Sequence, residues 1–133
     1  AVVIRPTIDY IETAPEEFYF EAIKRIFLMG NQPQKIAALK SIQNIEYIPT
    51  LDYLNSLGVN ISTLDSFQET AAFLELMEIR ENYSEKLINN ILPLLDKDFL
   101  IARRAYWYLL NAPLSAVQMT KRDIFLAQNK DRL

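Results

Sequence analysis

The residues with the most chemistry to offer stand in DKDFLIARRAYWYLLN, residues 96–111, where Arg103 and Arg104 are adjacent inside an apolar, aromatic run. A guanidinium presents a planar fork of N–H donors that fits a carboxylate or a phosphate, and it also stacks on rings. Arg103 lies four residues before Trp107 and Arg104 four before Tyr108, the helical spacing that brings a cation onto an aromatic face. The three rings of Tyr106, Trp107 and Tyr108 point about 100° apart around a helix. They cannot all share one buried face. At least one is expected at the surface unless a C-terminal helix covers it, and exposed Trp and Tyr are the usual anchors of protein interfaces. Arg103, Arg104, Tyr106, Trp107 and Tyr108 are therefore the partner-binding candidates. Phe18, Tyr19 and Phe20 raise the same question nearer the start of the chain.

Other chemistry is thin. Carboxylates come in close pairs at Asp96 and Asp98, Glu75 and Glu78, and Glu16 and Glu17. Acid–base work needs two acids across a cleft, one with a raised pKa, and nothing marks these pairs over helix caps or solvent-facing charge. The chain has no histidine, so triads and imidazole relays are out. It has no cysteine, so thiolate catalysis, zinc ribbons and disulfides are out as well, and a reducing or an oxidising compartment fits equally. Two glycines cannot build a phosphate-binding loop. No catalytic residue, metal or cofactor is expected.

Composition sets the frame that must position these groups. The chain has 133 residues, half of them hydrophobic, enough for one domain with a substantial core. Its longest apolar runs fall far short of the ~20 residues that cross a bilayer, so a soluble domain is expected. A net charge of −3 makes a nucleic-acid backbone an unfavourable main partner. A start at Ala1 rather than Met is what processing or excision would leave.

The periodicity predicts helices throughout. The opening AVVIRPTIDYIETAP reads as an extended arm or linker over residues 1–14. Thr13 and Glu16 fit a capping box with Pro15 in the first turn, before Phe20, Ile23 and Phe27 at helical spacing. Gly30 is expected to end that helix in a left-handed cap. Pro33 opens a helix carrying Ile36, Leu39 and Ile42. The next carries Leu51, Leu54 and Leu57, with Gly58 as its stop. Ser62 with Asp65, or Ser66 with Glu69, opens a helix that buries Phe67, Ala71, Leu74 and Leu76 or Met77. Ser84 opens another, with Leu87, Ile91, Leu94 and Leu95 as its stripe and Pro93 late in it, where it should bend or shorten the helix. A helix from about Lys97 to Asn111 follows. Ser115 starts the last, with Val117, Ile124 and Phe125. Sustained alternation with hairpin turns is missing, so the fold class is all-α.

An offset of 34 residues aligns Ala37, Ala71 and Ala105, then Leu39, Phe73 and Trp107, then Ile42, Leu76 and Leu110. LLDKDFLIARRAYWYLL resembles the HEAT-repeat consensus, in which an LL-aspartate turn leads into a helix with a Val-Arg-x-x-Ala core. NQPQKIAALKSIQNIEYIPTLDYLNSL is similar, with Lys35 near the basic position and Ala38 near the family alanine. The resemblance covers roughly residues 16–111. SFQETAAFLELM departs from it, because no basic residue stands at the expected place. The resemblance implies stacked antiparallel helix pairs over residues 15–133, an α-solenoid fragment, with an irregular compact bundle as the alternative. It also implies that Arg103 or Arg104 bonds Asp96 or Asp98 and ties adjacent units together. The function expected is a non-catalytic interaction or scaffold module that engages another protein, a peptide or a second copy of itself. A nucleic-acid-binding HEAT-like domain and a helical domain with an apolar ligand pocket are the alternatives.

Overall fold

A computed structural model describes residues 15–43, 46–59, 61, 64 and 66–133 of the chain. Seven α-helices account for most of them: α1 (Pro15–Met29), α2 (Gln32–Ser41), α3 (Ile48–Val59), α4 (Phe67–Ile79), α5 (Glu85–Ile91), α6 (Phe99–Leu110) and α7 (Ala116–Asn129). Short 3-10 turns follow α5 at Leu92–Asp96 and α7 at Lys130–Arg132. No strand occurs among the described residues, so the all-α expectation holds for them. The arm at 1–14, the Thr13 cap and the Ser62–Asp65 cap lie outside the described residues.

The helix starts follow from local chemistry. Ser66, Ser84, Asp98 and Ser115 each accept the backbone N–H three residues on, at Glu69, Leu87, Ile101 and Gln118. Each such cap satisfies one of the orphan donors of the first turn and is worth about 1 kcal/mol. Asn31 and Gln34 close a capping box at the start of α2, which carries Pro33 in its first turn. α5 is shortened as expected: it ends at Ile91, and the chain continues through Pro93 as the 3-10 turn.

Close contacts divide the chain into two units, Ala1–Leu54 and Asn55–Leu133, with the division inside α3. In the first unit α1 packs on α2, with Ile23, Ala38, Leu39 and Ile42 buried. Phe20 meets Tyr47 and Tyr53 edge-on at 6.0 and 6.2 Å, and Phe27 meets Tyr53 at 6.2 Å. Gly30 does not take a left-handed backbone; what demands glycine there is space, because a Cβ would come within 2.5 Å of the Ile26 carbonyl oxygen.

In the second unit α6 lies against α4 and against the Leu92–Asp96 turn. Phe73, Leu74, Leu76, Met77, Ile91 and Leu109 are fully buried there, each contributing about 1.5–3 kcal/mol through removal from water. Ala102 and Ala105 are buried too, and their small side chains let the backbone of α6 approach its neighbours. Gly58 does not stop α3, which runs on to Val59. A Cβ at Gly58 would lie 2.8 Å from Leu87 Cδ1 and 3.3 Å from Phe73 Cζ, so this glycine is a packing position.

The end of α4 is built differently from the glycine-capped pattern. The Asn82 N–H donates to the Met77 carbonyl and the Glu81 N–H to that of Glu78, the two bonds of a Schellman turn. Glu81, with φ of 52°, occupies the left-handed position where glycine is usual.

Candidate interaction surface

Asp98 fixes the start of α6, and its burial pattern fixes which way each candidate points. Ala102, Ala105, Tyr106, Tyr108 and Leu109 face inward, while Leu100, Trp107 and Leu110 are exposed. The two arginines therefore part company. Arg104, with its side chain 11 % exposed, makes a bidentate pair with Glu78 on α4, at 2.8 and 3.1 Å. Arg103 makes no ion pair among the described residues. Its guanidinium lies 4.9 Å from the Trp107 ring and 5.6 Å from that of Phe99.

The expected tie from the arginines to Asp96 or Asp98 is corrected by these contacts. Asp98 is occupied as the N-cap of α6, and Asp96 pairs with Lys121 of α7 at 3.4 Å. Arg104 instead reaches sideways to the neighbouring helix. The expected stacking holds for Arg103 on Trp107; Arg104 takes the carboxylate in place of the Tyr108 ring.

The three rings separate as their angular spacing requires. Tyr106 is buried against Phe125 of α7, with centroids 5.5 Å apart. Tyr108 is fully buried, lies 5.1 Å from the Tyr83 ring and donates its hydroxyl hydrogen to the Asn82 carbonyl at 2.6 Å. Burial, reinforced by Tyr83 and by the Glu78 charge, holds the Tyr108 hydroxyl well above its ordinary pKa. Tyr83 is raised as well, by burial first and then by Glu78 and Glu81, against the opposing Arg104 charge. Trp107 alone faces outward, 43 % exposed. At the other aromatic triplet, Phe18 and Tyr19 are exposed and Phe20 is half-buried in its ring cluster.

The surface thus holds residues that the candidate set lacked. Arg132, in the last 3-10 turn, places its guanidinium 3.6 Å from the centroid of the Phe99 ring, which Arg103 also approaches. The result is a ladder of Arg132, Phe99, Arg103 and Trp107, bordered by exposed Leu100 and Leu110. Phe99, Arg103 and Trp107 recur at a spacing of four, a legible signal for one helix face. Arg132 joins through the chain's return along α7, which no local spacing reveals.

The described members of the candidate carboxylate pairs are engaged or exposed. Glu78 is taken by Arg104, Asp98 by the cap, and Glu75 and Glu17 are exposed. Among the described residues no group of three metal-ligating side chains forms, and no helix is long and apolar enough to cross a membrane. Two open hollows in the second unit, of about 300 Å³ beside Asn55, Leu87 and Asn90 and about 190 Å³ beside Tyr83, Ile88 and Ser115, have mixed apolar and polar linings. No protein-family model, characterised protein or solved structure matches the chain.

Proposed function

We propose that the protein is a non-catalytic interaction module whose outward face of α6 engages a protein or peptide partner. The observation that carries this reading is Trp107, the chain's single tryptophan, held 43 % exposed between Leu100 and Leu110 on a helix whose opposite face is fully packed. A large ring kept at the surface by a rigid helix has little ordering to do on binding, which is why such residues anchor interfaces.

The scaffold proposed beneath it is a HEAT-like set of helix pairs. Its support is a shared burial register: Ala38, Leu39 and Ile42; Ala72, Phe73 and Leu76; Ala105, Tyr106 and Leu109 are all buried. The spacing between copies is 34 and then 33 residues, so the third copy is displaced by one from a constant 34-residue offset. With that displacement Trp107 and Leu110, which a constant offset aligns with buried Leu39 and Ile42, lie outside, and Ala37 is exposed. Arg104 with Glu78 and Tyr108 with Asn82 have the same separation of 26, so α4 and α6 run in the same direction where they touch. Parallel neighbours with a returning helix between them are what stacked pairs produce.

A second copy of the chain is a partner of the same class, favoured by Val117 and Ile124, which were expected in the core of α7 and are exposed at 81 % and 52 %. Sedimentation velocity over a range of concentrations separates self-association from a foreign partner. The direct test captures partners from a lysate with wild type and with a Trp107→Ala/Arg103→Gln variant that keeps its helical circular dichroism. Loss of a specifically captured protein is expected; identical capture contradicts the reading.

A further inference from the structure

Resting on the interaction reading, we propose that the partner segment is acidic and carries an aromatic or aliphatic side chain, and that it docks on the Arg132–Phe99–Arg103–Trp107 ladder. The two outer guanidiniums are the first ground. Arg103 and Arg132 lie over aromatic rings, with guanidinium carbons 3.6 to 5.6 Å from the ring centroids, and neither has a carboxylate within ion-pair distance among the described residues. Stacking uses the face of a guanidinium and leaves its in-plane N–H donors open. Two such forks on one surface are set to take carboxylates edge-on, each in the bidentate manner that Arg104 already shows with Glu78.

The charge distribution is the second ground. From Lys97 to Leu133 seven basic residues accompany three acidic ones, whereas residues 1–96 hold seven basic and fourteen acidic. Two of those cations, Arg104 and Lys121, are paired with Glu78 and Asp96 from outside the stretch, which leaves a balance of +2 (4 − 2) beside the ladder in a chain of −3. Such a field steers an acidic segment to this end and repels basic ones. Leu100, Trp107 and Leu110 then supply the apolar contact that a purely acidic ligand would leave unfilled. A single-stranded nucleic acid shares the anionic chemistry. It is disfavoured because Trp107 is the ladder's one strongly exposed ring, too few to stack successive bases.

The experiment titrates the intact protein with a random glutamate–tyrosine copolymer and follows Trp107 emission, with polyglutamate, polylysine and oligothymidylate as comparisons. The copolymer is expected to shift the emission and to bind more tightly than polyglutamate, with polylysine inert. Arg103→Gln and Arg132→Gln should each weaken binding about tenfold, the loss of one charge-assisted contact, while Arg122→Gln leaves it unchanged. Raising salt to roughly 0.3 M should weaken the wild type in the same sense, which needs no variant to fold. Unchanged emission with the copolymer, or its displacement by oligothymidylate, overturns the proposal. If the copolymer fails while lysate capture still depends on Trp107, the acidic partner class is wrong and the interaction reading stands. If capture is also indifferent to Trp107, both fall.

Discussion

At the scale of single residues, two adjacent arginines do unlike work because a helix turns them to different neighbours. Arg104 is nearly buried and bidentate with Glu78, so removing it leaves a partly buried carboxylate without its partner. Arg104→Ala is expected to cost about 1–3 kcal/mol in urea unfolding, and Arg103→Ala less than about 1 kcal/mol. Glu81 offers the opposite sign. A glutamate held at φ of 52° carries a steric cost that glycine does not, so Glu81→Gly should stabilise by about 1 kcal/mol in the same measurement. The chemical types were readable from the sequence, and so was the stacking of Arg103 on Trp107. The Glu78 pairing was not, because it spans 26 residues and depends on which helices are neighbours.

At the scale of elements, α6 is joined to the end of α4 by two ties four residues apart, Arg104 to Glu78 and Tyr108 to Asn82. Tyr108→Phe removes the donor and strands a buried carbonyl, a loss of about 1–2 kcal/mol. The tyrosine also predicts a pH dependence. Its folded pKa is raised above the ordinary value of about 10, so the unfolded chain loses the proton first as pH climbs. Its contribution is intact below about pH 10 and declines above it, and Tyr108→Phe should flatten that alkaline fall in denaturation midpoint. Helix starts at Ser66, Ser84, Asp98 and Ser115 were legible or nearly so, since capping is local. Gly58 was not: the same residue type serves as a stop or as a contact point, and only its 2.8 Å approach to Leu87 decides. Gly58→Val is expected to destabilise by about 1–3 kcal/mol through overpacking, read by thermal melting.

At the scale of the whole molecule, the hydrophobic period dictates the all-α fold of the described residues, and the absence of histidine and cysteine removes imidazole and thiolate schemes before any geometry is known. A constant offset of 34 aligns Trp107 with Leu39 and Leu110 with Ile42, yet those two lie at the surface, while Tyr106 and Leu109, one residue earlier, are buried. That single-residue difference rotates the exposed face of α6 by about 100° and creates the surface on which the functional reading rests. Because the chain has one tryptophan, its fluorescence reports that face without ambiguity. Acrylamide quenching of Trp107 in the isolated protein is the most direct test: the account predicts substantial quenching, between that of a free indole and that of a core tryptophan. Weak quenching would show the ring shielded and would contradict the claim that α6 presents an open interaction face.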